Sequence, residues 1–156
     1  MKRVNVNDIA ERTYAKEGRL GFGKPISEAL GRRPSSTDLT ERHPFDVEIL
    51  RVPAHSIPWR YHSHSAQWEF YFVLSGDGVI RDAEGRTKVT AGDAFLFKPG
   101  EPHQIINESD GDLTLMVIAD NPFGESYNYP DEAMWIVNSP EPHYVVLHPE
   151  RESQKT

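Results

Sequence analysis

The chain has 156 residues, enough for one domain around a single buried core. Its 17 Lys plus Arg against 24 Asp plus Glu give a formal charge of -7, with no basic run, so neither a nucleic acid backbone nor an anionic membrane surface is the expected partner. There are no cysteines, which excludes disulfides, thiolate metal sites and cysteine nucleophiles; any metal must be held by nitrogen and oxygen from the 7 histidines and the carboxylates.

No apolar run follows the basic residues of Met1-Lys2-Arg3, so no signal peptide is read, and no stretch has the apolar length needed to cross a bilayer. A soluble cytoplasmic protein is expected. Residues 1–43 are polar and weakly patterned. Asn7 or Asp8 can cap a short helix through Ile9-Ala10-Glu11-Arg12, before Gly18, Gly21 and Gly23 interrupt it; a second short helix around Ser27-Glu28-Ala29-Leu30 ends at Gly31, and residues 33–38 read as a loop. This mostly irregular arm is expected to pack on the outside of a barrel or on a partner subunit, with partial disorder as the alternative.

From Phe45 the texture changes to short strands punctuated by Pro and Gly. Residues 45–52 alternate between Pro44 and Pro53, 59–64 follow, and 69–74 end at Ser75-Gly76-Asp77-Gly78. Residues 79–81 and 87–89 flank Asp82-Ala83-Glu84-Gly85-Arg86, a hairpin signal. Residues 94–97, 103–106 and 113–119 are further strands, and the tail holds two more at 134–137 and 144–147. Turn signals every eight to twelve residues, without helical periodicity, point to an all-β sandwich or barrel over residues 44–148, with a frayed tail at 149–156.

The stretch Arg60-Tyr61-His62-Ser63-His64-Ser65-Ala66-Gln67-Trp68-Glu69 carries the chemistry. In an extended chain His62 and His64 share a face, and Glu69 on a following strand adds a carboxylate; together these make most of a metal site. A His-x-His pair alone is more often a polar strand facing water. Here a second segment accompanies it: Gly92-Asp93-Ala94-Phe95-Leu96-Phe97-Lys98-Pro99-Gly100-Glu101-Pro102-His103, closed by Asn107. His62-x-His64, four residues, Glu69, six residues and Gly76 resemble the first motif of the cupin superfamily, and Gly92 through Gly100 to His103 and Asn107 resemble the second. The resemblance covers roughly residues 45–119. One departure is Pro99 directly before Gly100, where one residue usually intervenes, though the Gly-to-Gly interval is kept.

The resemblance implies an antiparallel double-stranded β-helix, a jelly-roll barrel of the small single-domain kind, some of whose members have no assigned activity. It also implies one divalent transition metal in the barrel mouth, held by His62, His64, Glu69 and His103. Imidazoles with one carboxylate suit Fe, Mn, Ni, Co, Cu or Zn, and such a set leaves one or two positions open for a small-molecule ligand. Some cupins have lost the metal while keeping the barrel.

Strand parity places Arg60 on the face of His62 and His64, where its guanidinium could bind an acidic substrate group, or lie solvated at the rim. Tyr71 follows Glu69 inward, to meet a ligand or fill the barrel. Ile105 and Asn107 follow His103 onto the pocket floor. Phe70, Phe72 and Leu74 lie on the opposite face and need a cover, so a homodimer is expected. His43, His55, His143 and His148 are read as outside the site, and the segment 125–131, a Tyr-Pro-Asp tail, either covers the mouth or packs on the outer wall. Two functions stay open. One is a metal-dependent enzyme, a dioxygenase or an isomerase, epimerase or decarboxylase, acting on a small organic molecule, with or without an acidic group. The other is a sugar- or carboxylate-binding barrel without catalysis.

Overall fold

The computed structural model describes residues 1–34, 36–137 and 145–147. In chain order they form β1 (Arg12–Lys16), β2 (Arg19–Pro25), α1 (Ile26–Ala29), α2 (Leu39–Arg42), β3 (Phe45–Val52), β4 (Ser63–His64), β5 (Glu69–Ser75) and β6 (Asp77–Arg81). There follow β7 (Arg86–Thr90), β8 (Ala94–Phe97), β9 (Gln104–Ile106), β10 (Leu113–Asp120), β11 (Ser126–Tyr129), β12 (Met134–Val137) and β13 (Val145–Leu147). Their pairings are antiparallel. A six-stranded sheet runs β1-β2-β3-β10-β5-β8, a four-stranded sheet β13-β12-β11-β4, and a three-stranded sheet β7-β6-β9. This is the all-β architecture expected from the strand spacing, in the jelly-roll form that the resemblance implies. Among the described residues no helix is long and apolar enough to cross a membrane.

The core lies between the six-stranded and three-stranded sheets. Leu50, Val52, Tyr71, Val73, Leu113 and Leu115 come from one side, and Ile80, Val89 and Ile105 from the other. Burying each such side chain contributes about 1.5–3 kcal/mol. Register then determines what happens towards the other end of the same face. Leu115 lies between Leu50 and Val73, Val117 between Glu48 and Tyr71, and Ala119 between Asp46 and Glu69. The inner face therefore passes within three rows from aliphatic to acidic. The barrel is apolar at one end and polar at the other.

The outward face of the same strands is apolar. Val47, Ile118, Phe70 and Leu96 form one cross-strand row, and Ile49, Met116, Phe72 and Ala94 the next. Most are half-buried, while Leu74 and Leu96 are exposed.

The arm departs from the expected helix at residues 9–12. The chain there enters β1, which pairs with β2 through a tight turn in which Glu17 and Gly18 both have positive φ. That two-residue geometry matches the twist of a hairpin. Tertiary contact reinforces it: the Tyr14 ring packs on Trp59 with centroids 4.7 Å apart. β2 then pairs with β3, so the arm extends the main sheet. The second expected helix is present as α1, and the 125–131 segment supplies β11, paired with β4. The polar tail at 149–156 lies outside the described residues.

Gly76 turns β5 into β6 with φ +82, and a Cβ there would collide with the Asp112 carbonyl oxygen. Gly76→Ala is expected to lower stability by at least about 1–3 kcal/mol, read as a lower urea midpoint with unchanged slope.

Candidate metal centre and its cavity

The two histidine motifs meet through the backbone. His62 N–H donates to His103 O at 3.0 Å, and His103 N–H returns to His62 O at 2.8 Å, an isolated antiparallel bridge. Their rings are thereby held with centroids 4.8 Å apart. His64 enters from β4 with its ring centroid 5.0 Å from that of His62, and its carbonyl accepts from Gly100 N–H at 2.7 Å. Glu69 opens β5 on the inner face, opposite Phe97, whose ring stacks on His103 at 3.9 Å.

Two carbonyls orient the imidazoles. His62 Nδ1 lies 2.8 Å from Arg60 O and His103 Nδ1 lies 3.2 Å from Glu101 O. A carbonyl only accepts, so each Nδ1 carries the proton and each Nε2 presents a lone pair. Glu69 Oε2 lies 2.8 Å from His103 Nε2 and 3.3 Å from His64 Nε2, and Tyr71 donates to the same oxygen at 3.2 Å. His62, His64 and Glu69 each offer a ligand atom within 4.8 Å of the others, as a group able to hold a metal ion. Among the described residues, both nitrogens of His64 and Nε2 of His103 are buried without a hydrogen-bond partner. Buried polar atoms need partners, and a divalent cation among these lone pairs would supply one. The donor set fits such an ion.

The electrostatics agree. Burial pushes the Glu69 carboxyl up, but His103 and His64 outweigh it and hold it well below the usual carboxylate range. Burial lowers His64, yet Glu69 and Glu125 outweigh it and raise it. Burial and the neighbouring His103 push His62 down to about 4, which keeps its imidazole neutral, the form a metal takes.

A cavity of about 540 Å³ opens from this group. His62, His64, Glu69 and Tyr71 line one side, Asp46 and Glu48 the other, with Val117 and Ala119 between them. Tyr71 is buried, stacked on Phe95 at 5.2 Å, and both fills the barrel and touches Glu69. Arg60 lines a second cavity of about 540 Å³, which shares Trp59, His62 and Tyr127 with the first. Its guanidinium is held by Glu17, with Glu132 at 3.6 Å and the Tyr129 ring 5.6 Å away. It is thus beside His62, with its charge already met.

Ile105 and Asn107 do not form the pocket floor. Ile105 is in the apolar core, and the Asn107 amide donates to Val52 O, Pro53 O and Gly111 O, tying the loop before β10. His43 and His55 stand in turns with positive φ, away from the site, and His143 and His148 lie outside the described residues. The 125–131 segment lies over the histidines: Tyr127 meets His64 at 5.1 Å and Tyr129 stacks on His62 at 6.1 Å.

Two carboxylates were not anticipated. Glu125 is buried, accepts from the backbone N–H of Ser65 (2.7 Å), Ala66 (3.2 Å) and Ser126 (3.0 Å), and stands 3.8 Å from His64 Nδ1. In the sequence it is one polar loop residue among many. Glu48 accepts from the Tyr14 hydroxyl at 2.7 Å, and Gly23 leaves the room for that pair. Burial raises the Glu48 carboxyl, Tyr14 opposes the rise, and Asp46 adds to it. Its parity with Leu50 and Val52 was the available signal.

His62 gives the metal-free protein a measurable pH dependence. Its folded pKa is below the unfolded value, so the unfolded chain takes up a proton that the folded chain refuses. Stability should fall as pH drops from about 6.5 to about 4, by on the order of 3 kcal/mol. His64, whose folded pKa is raised, opposes this loss at the upper end of the window, where the unfolded chain is still taking up its proton, and adds no slope well below 6.5. Glu69, held low, contributes only below about 4.5. Denaturant unfolding in EDTA between pH 6.5 and 4.5 should show the loss, and His62→Gln should flatten it.

Comparison with known proteins bears on the same residues. The cupin domain family model matches residues 40–119, which include the four candidate ligands. An oxalate-binding protein of Thermotoga maritima is 33% identical over 57 residues, 36% of this chain and 47% of the relative, so the match spans about half the length of that protein. A structure from Acidithiobacillus ferrooxidans aligns with TM-score 0.79 at 16% identity, covering 92% of this chain and 87% of its own. A sugar phosphate isomerase of the cupin superfamily from Silicibacter pomeroyi aligns with TM-score 0.78 at 22% identity, covering 94% and 92%. At such identity these structures speak for the fold. With both motifs folded into one mouth and more than half the chain matched by the family model, the chain belongs to the cupin family.

Proposed function

We propose that the chain binds one divalent transition metal through His62, His64, Glu69 and His103 and is a metal-dependent enzyme acting on a small organic molecule. When bound, the metal would supply Lewis-acid polarisation of a substrate oxygen. The observation that carries the enzymatic reading is Glu48. Five carboxylates line the cavity. Glu28 is paired with Arg12 and Asp46 with Arg32, Glu69 is met by histidines, and Glu125 by backbone amides. Glu48 has a phenol for its partner. A half-buried carboxyl held above its ordinary pKa, with no ion pair among the described residues and facing a metal-ligating group across a cavity, is suited to give or take a proton. Glu48 shares a cross-strand row with Tyr71, two strand spacings or about 10 Å away, which leaves room for a substrate between them.

This arrangement favours isomerisation, epimerisation or decarboxylation over oxygen activation, because those reactions need a proton donor or acceptor opposite the metal. In that reading Glu48 exchanges the proton, Tyr14 holds the carboxyl in place, and Val117 and Ala119 keep the space between open. A binding barrel without catalysis is the second reading, supported by the likeness to the oxalate-binding protein. Arg60 and Tyr71 retain roles at the edge of the ligand site, Arg60 by ordering the wall that His62 shares and Tyr71 through Glu69.

Elemental analysis should find about one transition metal per chain, lost in His103→Ala and in Glu69→Ala. Glu48→Gln should keep the metal and lower turnover of a hydroxy-carbonyl substrate by about 10²–10⁴. Equal turnover in Glu48→Gln would remove Glu48 from the chemistry. Tight ligand binding with no turnover in the wild type would favour the binding barrel.

The apolar outer face of the main sheet supports a homodimer, with a second copy covering Phe70, Phe72, Leu74 and Leu96. Sedimentation at micromolar concentration should give a dimer, and Phe72→Asp should shift it towards monomer; a wild-type monomer would refute it.

A further inference from the structure

The segment before the barrel brings two arginines to the Asp46 end of the cavity. Arg32 is all but buried, its side chain 8% exposed. Its terminal nitrogens donate to Asp46 Oδ2 at 2.9 Å and to Asn121 Oδ1 at 2.7 Å, while its Nε is buried with no partner among the described residues. Arg42 donates one terminal nitrogen to Pro122 O at 2.8 Å and lies over the Phe123 ring at 4.3 Å, and its Nε is likewise buried and unpartnered. Beside them Asp46 Oδ1 is a buried acceptor without a donor among the described residues.

Each such orphan costs about 1–3 kcal/mol, and native proteins seldom carry several in one place without something to meet them. The charges are also uneven. Arg12 is committed to Glu28 through both terminal nitrogens, at 3.1 and 2.7 Å, and Arg32 is paired with Asp46. Arg42 has no ion pair among the described residues; its contacts there are the Pro122 carbonyl and the Phe123 ring.

We infer that Arg32 and Arg42 form a subsite for the anionic group of a hydroxylated small molecule, with Asp46 accepting from a neighbouring hydroxyl. Two guanidinium donors suit the oxygens of a phosphate or a carboxylate. The free acceptor asks for a donor on the same molecule, which a hydroxyl supplies and a simple inorganic anion does not. A ligand of that class is a sugar phosphate or a sugar acid, and a cavity of about 540 Å³ falls within the usual range for small-molecule sites. The inference rests on the same cavity as the proposed function and adds the substrate class. It also moves recognition of the acidic group from Arg60, which Glu17 and Glu132 already neutralise, to the far side of the cavity.

Calorimetric titration with D-ribose 5-phosphate, D-gluconate and uncharged D-ribose tests this, on both Mn(II)-loaded and EDTA-treated full-length protein. At least one anion should bind more tightly than ribose by about tenfold or more, the order of one charge-assisted hydrogen bond. Preference for the phosphate ester or for the sugar acid identifies the anionic group. Arg42→Gln should remove that advantage while metal content and thermal midpoint stay at wild-type values; it is preferred to Arg32→Gln, which would leave Asp46 without its ion-pair partner. Ribose binding as well as its phosphate and gluconate, or Arg42→Gln binding the anion like the wild type, overturns the inference. Failure of the metal reading is separable, because it shows as missing metal while the Arg42 dependence persists in EDTA-treated protein.

Discussion

The reciprocal backbone pair between His62 and His103 is the joint on which the site depends. The two residues are far apart in the chain, and neither stands inside a long strand. Two peptide hydrogen bonds hold them opposite one another, and the carbonyls of Arg60 and Glu101, each two residues earlier, fix their protonated nitrogens. Main-chain geometry thus sets the spacing of the rings and the direction of their lone pairs. His64 and Glu69 are added to a frame that already exists.

A buried carboxylate among imidazoles is expensive to desolvate, and the fold offsets that cost locally. Glu69 is met by two histidines and the Tyr71 hydroxyl, and Glu125 by three backbone N–H groups beside His64. The aliphatic rows of β3, β10 and β5 carry the stability of the barrel, which allows the next two rows to be polar. Function occupies the end of the face where apolar packing stops.

Much of this was legible in the sequence because spacing encodes it. Period-two alternation places His62 beside His64, and the glycine at 76 marks a turn only glycine can make. Other features depend on which strands become neighbours. Residues 45–52 alternate, but alternation alone does not say which set faces inward; β10 lying between β3 and β5 turns Asp46 and Glu48 into the barrel and leaves Val47 and Ile49 outside. The β1–β2 hairpin escaped for a related reason. Its polar residues have no strand-like pattern, and the Tyr14 contacts with Trp59 and Glu48 give it a place. Arg60 has the parity expected of it, yet Glu17, supplied by that unanticipated hairpin, holds its charge.

The strand order also bears on how the protein is made. β3 is joined on one edge to β2, its near neighbour in the chain, and on the other to β10, some sixty residues later. As the polypeptide leaves the ribosome, β1, β2 and β3 can form a meander at once, while the far edge of β3 stays unpaired until residues 113–120 emerge. Pairings of such long sequence separation form slowly. For that interval an open strand edge and the apolar residues destined for the outer face are displayed together, the combination that invites pairing with the wrong chain. The insertion of β10 between β3 and β5 is therefore the step that joins the two sides of the cavity and closes the open edge of β3.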